Sequence, residues 1–298
     1  MPTPYLINSE LKLKQTAESF NQDRGFAGPG IAMIRTLFII AYTVLATVFW
    51  GSIVILASFI NKNGRLPHEI ARFWAKSILW ASGVKVAVIG FSNLNPASPC
   101  IYMPNHRSNF DIPVLQAYLA VQFRWLAKAE LFRIPLFGQA IKRAGYISID
   151  RSNREAAIES LNTAAKMIKA GMSVLIFPEG TRSHDNTLRP FKKGGFVLAL
   201  NTGVPIVPVI IHGTGGIMPK KEIQIKPGNV ILEIAAPVQT ANYSKKTRDD
   251  LMEKVRSIMC KSIELQRRKH STSASGGTIT LKWGCREFQK DNKGKALC

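Results

Sequence analysis

His106 and Asp111 are the two residues whose types and spacing could carry acid–base chemistry in this chain. They lie in Asn105-His106-Arg107-Ser108-Asn109-Phe110-Asp111, between the apolar run Cys100-Ile101-Tyr102-Met103 and the segment Ile112-Pro113-Val114-Leu115. The pattern reads as a strand end, a polar loop and the first turn of a helix. Asn109 or Asp111 is the expected cap, and Pro113 falls in the first turn, where a missing N–H costs little. Across such a turn a carboxylate can reach the imidazole, fix its tautomer and stabilise its charged form. The other ring nitrogen is then left to take a proton from a hydroxyl. A capped helix beside a surface histidine fits the same residues, so the surrounding elements must decide.

Those elements begin after Gly83, where strand and helix patterns alternate. Runs at 84–89, 100–103, 123–127, 146–149, 173–177, 204–211 and 230–234 read as strands, with helical stretches between them. Ser152 with Glu155 reads as a capping box for one helix. Pro205 and Pro208 predict an edge or irregular pairing for the 204–211 strand. Over residues 84–266 the alternation predicts an α/β domain with a mixed, mainly parallel sheet flanked by helices. Sites in such sheets lie at the carboxyl ends of strands, and polar clusters follow Met103, Ile149 and Phe177. The last is Pro178-Glu179-Gly180-Thr181-Arg182-Ser183, where a glycine lets the backbone approach a ligand and Arg182 offers a fork for a phosphate. Lys128 and Arg151 add cations near the other strand ends. Lys192-Lys193-Gly194-Gly195 fits either an anion cradle or a solvated turn.

The N-terminal third has a different texture. Residues 1–30 form a polar cap ending in a Gly/Pro cluster, and Thr36 to Ile60 is 25 residues without a charge. About 20 such residues suffice for a helix to cross the hydrocarbon core. This predicts a membrane helix, or a hairpin dipping into one leaflet if the chain bends at Trp50-Gly51. Ile70, Phe73, Trp74, Ile78 and Trp80 mark an amphipathic helix after it, with tryptophans suited to the headgroup boundary. Residues 31–83 thus read as a membrane-anchoring unit. The basic residues Lys62, Arg65, Arg72 and Lys76 place the domain that follows on the cytosolic face.

Against 19 Asp and Glu the chain carries 40 Lys and Arg, a net charge of +21. That excess calls for a polyanionic partner, a nucleic acid or an anionic membrane surface. No aromatic-basic recognition motif is present, which leaves the membrane. The scattered cysteines (Cys100, Cys260, Cys285, Cys298) fit a reducing compartment and argue against a disulfide scaffold and a zinc site. Residues 267–298 read as a basic flexible tail, with a linker at 271–277.

Four blocks, taken together, resemble in order and spacing those of the glycerolipid acyltransferase family, whose best-known members are the 1-acylglycerol-3-phosphate acyltransferases. They are His106-x4-Asp111, Gly145 to Arg151, Phe177 to Arg182 and Val204 to Val209. The resemblance covers roughly residues 80–240, including Lys128-Ala129-Glu130-Leu131 before Pro135 and Gly138. It implies transfer of a fatty acyl group from acyl-CoA or acyl carrier protein, as co-substrate and without other cofactor or metal, to the hydroxyl of a lysophospholipid. The acceptor it implies is 1-acylglycerol-3-phosphate, giving phosphatidic acid, with another lysolipid such as a lyso-aminolipid as the alternative. His106 would be the base and Asp111 its partner. Arg182, Lys128 and Arg151 would hold the acceptor phosphate, while Glu179, Gly180 and Thr181 would shape that subsite. Backbone N–H groups near Gly180 would meet the oxyanion, and Val204–Val209 would form an apolar wall for the acyl chain. No Gly-x-Ser-x-Gly elbow is present, in keeping with direct transfer and no acyl-enzyme.

Overall fold

The computed structural model describes residues 29–61, 63–183 and 187–274. The expected cap therefore lies almost wholly outside the described residues, as does the tail beyond 274. Seven strands form one sheet: β1 (Val84–Ile89), β2 (Ile101–Pro104), β3 (Phe123–Lys128), β4 (Ile147–Ile149), β5 (Ser173–Leu175), β6 (Ile206–His212) and β7 (Gly228–Ile234). Their spatial order is β1-β7-β6-β2-β5-β3-β4. Strands β2 to β6 run parallel, while β7 is antiparallel to β6 and parallel to β1. The sheet is mixed and mainly parallel, as the alternation predicted.

Period-two alternation along the strands divides the core between the two faces. On β2 and β6, Tyr102, Val207, Val209 and Ile211 pack with Leu79 of α2 (Arg65–Ala81) and Val114 of α3 (Asp111–Tyr118). Ile101, Met103, Ile206 and Ile210 face the other way. They pack with Ile168 of α5 (Arg154–Lys169), Phe196 of α6 (Gly194–Thr202) and Val255 of α8 (Arg248–Ala274). The remaining helices are α1 (Pro29–Ile60), α4 (Phe137–Arg143) and the short α7 (Thr214–Ile217).

Several local expectations shift. The 204–211 run is an interior strand, not an edge, and its pairing is irregular: β7 pairs with it only from Val209, while Ile206 bridges Val238. Pro208 sits opposite the end of β7, where its carbonyl accepts from Ala235 N–H at 3.0 Å and no donor is required of it. The cap of α5 is Asn153, which accepts from the N–H groups of Glu155 and Ala156; the Ser152 hydroxyl turns back to Asp150 instead. The expected linker at 271–277 is helical as far as Ala274. Cys100 is a buried free thiol.

Helix α1 is continuous through Trp50-Gly51, so the chain does not bend there. Gly51 instead lets the helix sit close against the domain: a Cβ on it would meet Leu136 at 2.6 Å. Contacts tie the helix along much of its length. Arg35 donates to Ser82 C=O at 2.7 Å, Thr36 Oγ1 accepts from Ile225 N–H at 3.1 Å, and Trp74 Nε1 donates to Thr47 Oγ1 at 3.1 Å. Ile39, Ala46 and Val54 are buried on that side, whereas Ile34, Leu45 and Ile60 are 70%, 69% and 86% exposed. The apolar residues of α2 are likewise divided, Ile78 facing inward while Phe73 and Trp80 face out with α1. Arg72 is engaged within the protein, paired to Glu69 and donating to the carbonyls of Leu119 and Val121.

Candidate active site

The loop after β2 carries His106 and the start of α3 carries Asp111. Neither Asn109 nor Asp111 caps the helix through its side chain: the residue before α3 is Phe110, whose N–H is taken by Ser108 Oγ at 3.1 Å. This leaves the Asp111 carboxylate to turn back over the loop. Its Oδ2 accepts from the backbone N–H groups of Arg107 and Ser108 at 2.7 and 2.8 Å and lies 2.8 Å from His106 Nδ1. Its Oδ1 accepts from Thr214 Oγ1 at 2.5 Å. Asp111 has no exposure, so four donors replace the water it has lost. The His106 side chain is 14% exposed and its ring stacks on Phe177, with centroids 3.9 Å apart. With Nδ1 committed to the carboxylate, Nε2 is the nitrogen left for a substrate.

The loop itself is clamped. Asn105 is buried and exchanges two hydrogen bonds with the backbone of Ile211 in β6, at 2.7 and 3.1 Å. His106 N–H donates to Glu179 Oε1 at 2.7 Å, and His106 C=O accepts from Ser183 N–H at 2.9 Å. The second oxygen of Glu179 takes the N–H of Arg189 at 2.9 Å. Burial pushes the Glu179 carboxyl up to about 7 from its ordinary 4.5, against the pull of those two N–H groups and of Arg107. Glu179 therefore joins the loops after β2 and β5 from within, and both its oxygens are taken by backbone.

The other residues singled out in sequence fall at the same carboxyl edge of the sheet, in two groups. Lys128 pairs with Glu130 at 2.6 Å at the end of β3. Arg151, after β4, donates to the carbonyl of Gly180 and feels the Glu130 charge. Arg182 belongs to a second group with Lys220, whose Nζ donates to Arg182 C=O at 2.8 Å. Thr181 is exposed beside it. Gly180 adopts φ +72° and its N–H closes a turn on Phe177 C=O at 3.1 Å, so that N–H is not free for an oxyanion. Ile206, Val207 and Val209 of the fourth block are fully enclosed in the sheet and lead to Asn105's partner Ile211, so these three do not form a wall facing a ligand. An apolar cavity lies instead between α1, α2 and α4, lined by Trp50, Val54, Trp74, Phe137 and Tyr146. Thr214, Asn105, Phe177 and Lys220 were missed as site residues in sequence. Of these, only Asn105 and Phe177 stood within motifs that could have drawn attention.

Comparison with known proteins places this geometry among relatives. Residues 85–212 match the family model described as Acyltransferase. A chloroplastic 1-acyl-sn-glycerol-3-phosphate acyltransferase of Brassica napus is 36% identical over 210 residues, 70% of this chain and 59% of that protein. The 1-acyl-sn-glycerol-3-phosphate acyltransferase of Saccharomyces cerevisiae is 34% identical over 220 residues, 72% of each chain. Among solved structures, the 1-acyl-sn-glycerophosphate acyltransferase PlsC from Thermotoga maritima superposes with a TM-score of 0.69 at 28% identity, covering 79% of this chain and 95% of that one.

Proposed function

Because the chain belongs to the acyltransferase family that includes the 1-acyl-sn-glycerol-3-phosphate acyltransferases, we propose that it moves a fatty acyl group from a thioester donor to the free hydroxyl of 1-acylglycerol-3-phosphate. The donor is acyl-CoA or acyl carrier protein, and the product is phosphatidic acid. The observation that carries the mechanism is the 2.8 Å contact between His106 Nδ1 and an Asp111 carboxylate enclosed by three further donors. Nε2 of His106 takes the hydroxyl proton as the acceptor oxygen attacks the thioester carbonyl. Asp111 stabilises the imidazolium that results. The C–S bond then breaks, and the proton passes from Nε2 to the departing thiolate. Stacking on Phe177 holds the ring still through both transfers, so its geometry need not be rebuilt during reaction. No enzyme side chain becomes acylated, in keeping with direct transfer.

Arg182 is assigned to the acceptor phosphate, supported by its place beside the catalytic loop, with Lys128 and Arg151 at the ends of the neighbouring strands β3 and β4. The outward face of α1, with the exposed Phe73 and Trp80 of α2, is assigned to the bilayer, where both substrate and product reside. Anionic lipid then meets the positively charged chain, and the basic residues after α1 favour the cytosolic face for the domain.

Purified protein in detergent should transfer labelled acyl groups to 1-acylglycerol-3-phosphate. His106→Ala should lower kcat by about 10³-fold. Arg182→Ala should raise KM for the acceptor more than for the donor. Full turnover in His106→Ala would remove the assigned base, and a change confined to the donor KM would overturn the role given to Arg182.

A further inference from the structure

The loop after α7 carries a cationic group that lies outside all four sequence blocks. Lys220 reaches across to Arg182 C=O at 2.8 Å, which sets its ammonium beside three other cations, Arg182, Arg189 and Lys221. Partial burial and the repulsion of Arg189, Arg182 and Lys221 hold this ammonium below the ordinary lysine range. Among the described residues, no carboxylate pairs with any of the four. The Lys128 side of the edge contrasts with this, because there Glu130 supplies the counter-charge.

Two further observations show that this loop is built into the site. Ser108 Oγ donates to Met218 C=O at 2.8 Å, which fastens the start of the loop to the catalytic turn. Lys221 has φ +78°, one of two such non-glycine residues among those described. A lysine in that region costs free energy, and strain of this kind collects where a loop is held for a ligand. Among the described residues these four side chains have no acidic side-chain partner, and like charges that converge in this way are unfavourable unless an anion sits among them.

We propose that Lys220, with Lys221, Arg189 and Arg182, forms a binding site for a phosphomonoester dianion. This rests on the transferase reading, whose substrates present that group in two places: the glycerol phosphate of the acceptor and the ribose 3′-phosphate of a CoA donor. Charge-assisted hydrogen bonds from several cations suit a dianion better than a phosphodiester, which carries a single charge.

The test is calorimetric binding to the full chain in detergent, with glycerol 3-phosphate and adenosine 3′,5′-bisphosphate as separate probes. The proteins compared are the wild type, Lys220→Met and Lys220→Arg. Met keeps the stem and deletes the charge, while Arg keeps the charge. At least one probe should bind wild type, weaken about tenfold in Lys220→Met and recover in Lys220→Arg. Loss confined to glycerol 3-phosphate assigns the site to the acceptor, and loss confined to the bisphosphate assigns it to the donor. Equal affinity of wild type and Lys220→Met for both probes, or no binding of either to wild type, overturns the proposal. Because binding is read without turnover, failure of the transferase reading would appear separately, as wild type that binds a probe and transfers no acyl group.

Discussion

Glu179, behind the catalytic loop, and His68, behind α2, are both buried and both held toward their neutral forms, yet the two regions use that burial differently. His68 is fully enclosed and pushed down to about 3, first by burial and then by the charges of Arg72 and Arg124. Among the described residues its Nε2 has no hydrogen-bond partner, and its Nδ1 faces Tyr146 Oη at 3.3 Å. Tyr146 in turn donates to Gln116 Oε1, which also takes Trp125 Nε1–H at 2.8 Å. That network fixes the packing of α2 on the sheet and holds an imidazole that stays neutral at any working pH. Glu179 is pulled the other way by two backbone N–H groups, so its carboxyl ends near 7, where both protonation states are accessible. Burial reinforced by neighbouring cations thus makes an inert group, whereas burial opposed by converging donors leaves one poised to titrate.

The sharpest way to break this contrast is at the dyad itself. Asp111→Asn keeps the shape and can turn its amide nitrogen toward Thr214, whose hydroxyl can rotate to accept. The chain should therefore fold while losing the charge that stabilises the imidazolium, and kcat should fall about 10³-fold. A loss below tenfold in steady-state kinetics would mean that the carboxylate is only a structural anchor, as His68 is.

The two regions should also give opposite pH dependences of stability. Glu179 has a folded-state value above its ordinary one, so its contribution is full below about pH 4.5 and is lost as pH rises through 7. His68 has a folded-state value below its ordinary one, so its contribution is full above 6.5 and is lost as pH falls toward 3. Each slope is about 1.4 kcal/mol per pH unit, so between roughly pH 4.5 and 6.5 they nearly cancel in the wild type. Glu179→Gln should expose the His68 slope, with a Tm that falls toward acid. His68→Phe should expose the opposite slope, with a Tm that rises toward acid. Parallel Tm-versus-pH curves for the two variants, measured by thermal unfolding in detergent, would refute the comparison.

The smallest expected effect is at Thr214. Thr214→Val removes one donor of four from Asp111 and should lower kcat by roughly tenfold with KM unchanged, since one net hydrogen bond to a charged group is at stake. Thr214→Ser should restore it. An equal loss in both variants would point to packing and not to the hydroxyl.

Residues close in the chain were the legible part of this site. His106 and Asp111 are five apart, and the backbone turn between a strand and a helix brings them together with little help from elsewhere. The Glu179–Arg182 block was legible as a cluster at a strand end, but Glu179 points inward to His106 N–H, 73 residues away. A pattern of residue types carries no sign of that direction. Thr214 lies 103 residues from Asp111 and Asn105 lies 106 from Ile211, and neither pairing leaves a trace in local spacing. Lys220 appeared only as one basic residue among 40 Lys and Arg.

By itself the sequence determined the alternating strands and helices, the catalytic turn and an N-terminal helix long and apolar enough to cross a membrane. These follow from short-range rules, namely backbone hydrogen bonding, side-chain periodicity and the count of uncharged residues. Tertiary structure alone decided that β6 is an interior strand, that α1 lies along the domain on one face, and that four donors close around Asp111. Those outcomes depend on which distant segments pack together. At His106 and Asp111 the pairing was written locally, and the enclosure that gives it chemical force was assembled from β6, α7 and the loop after β5.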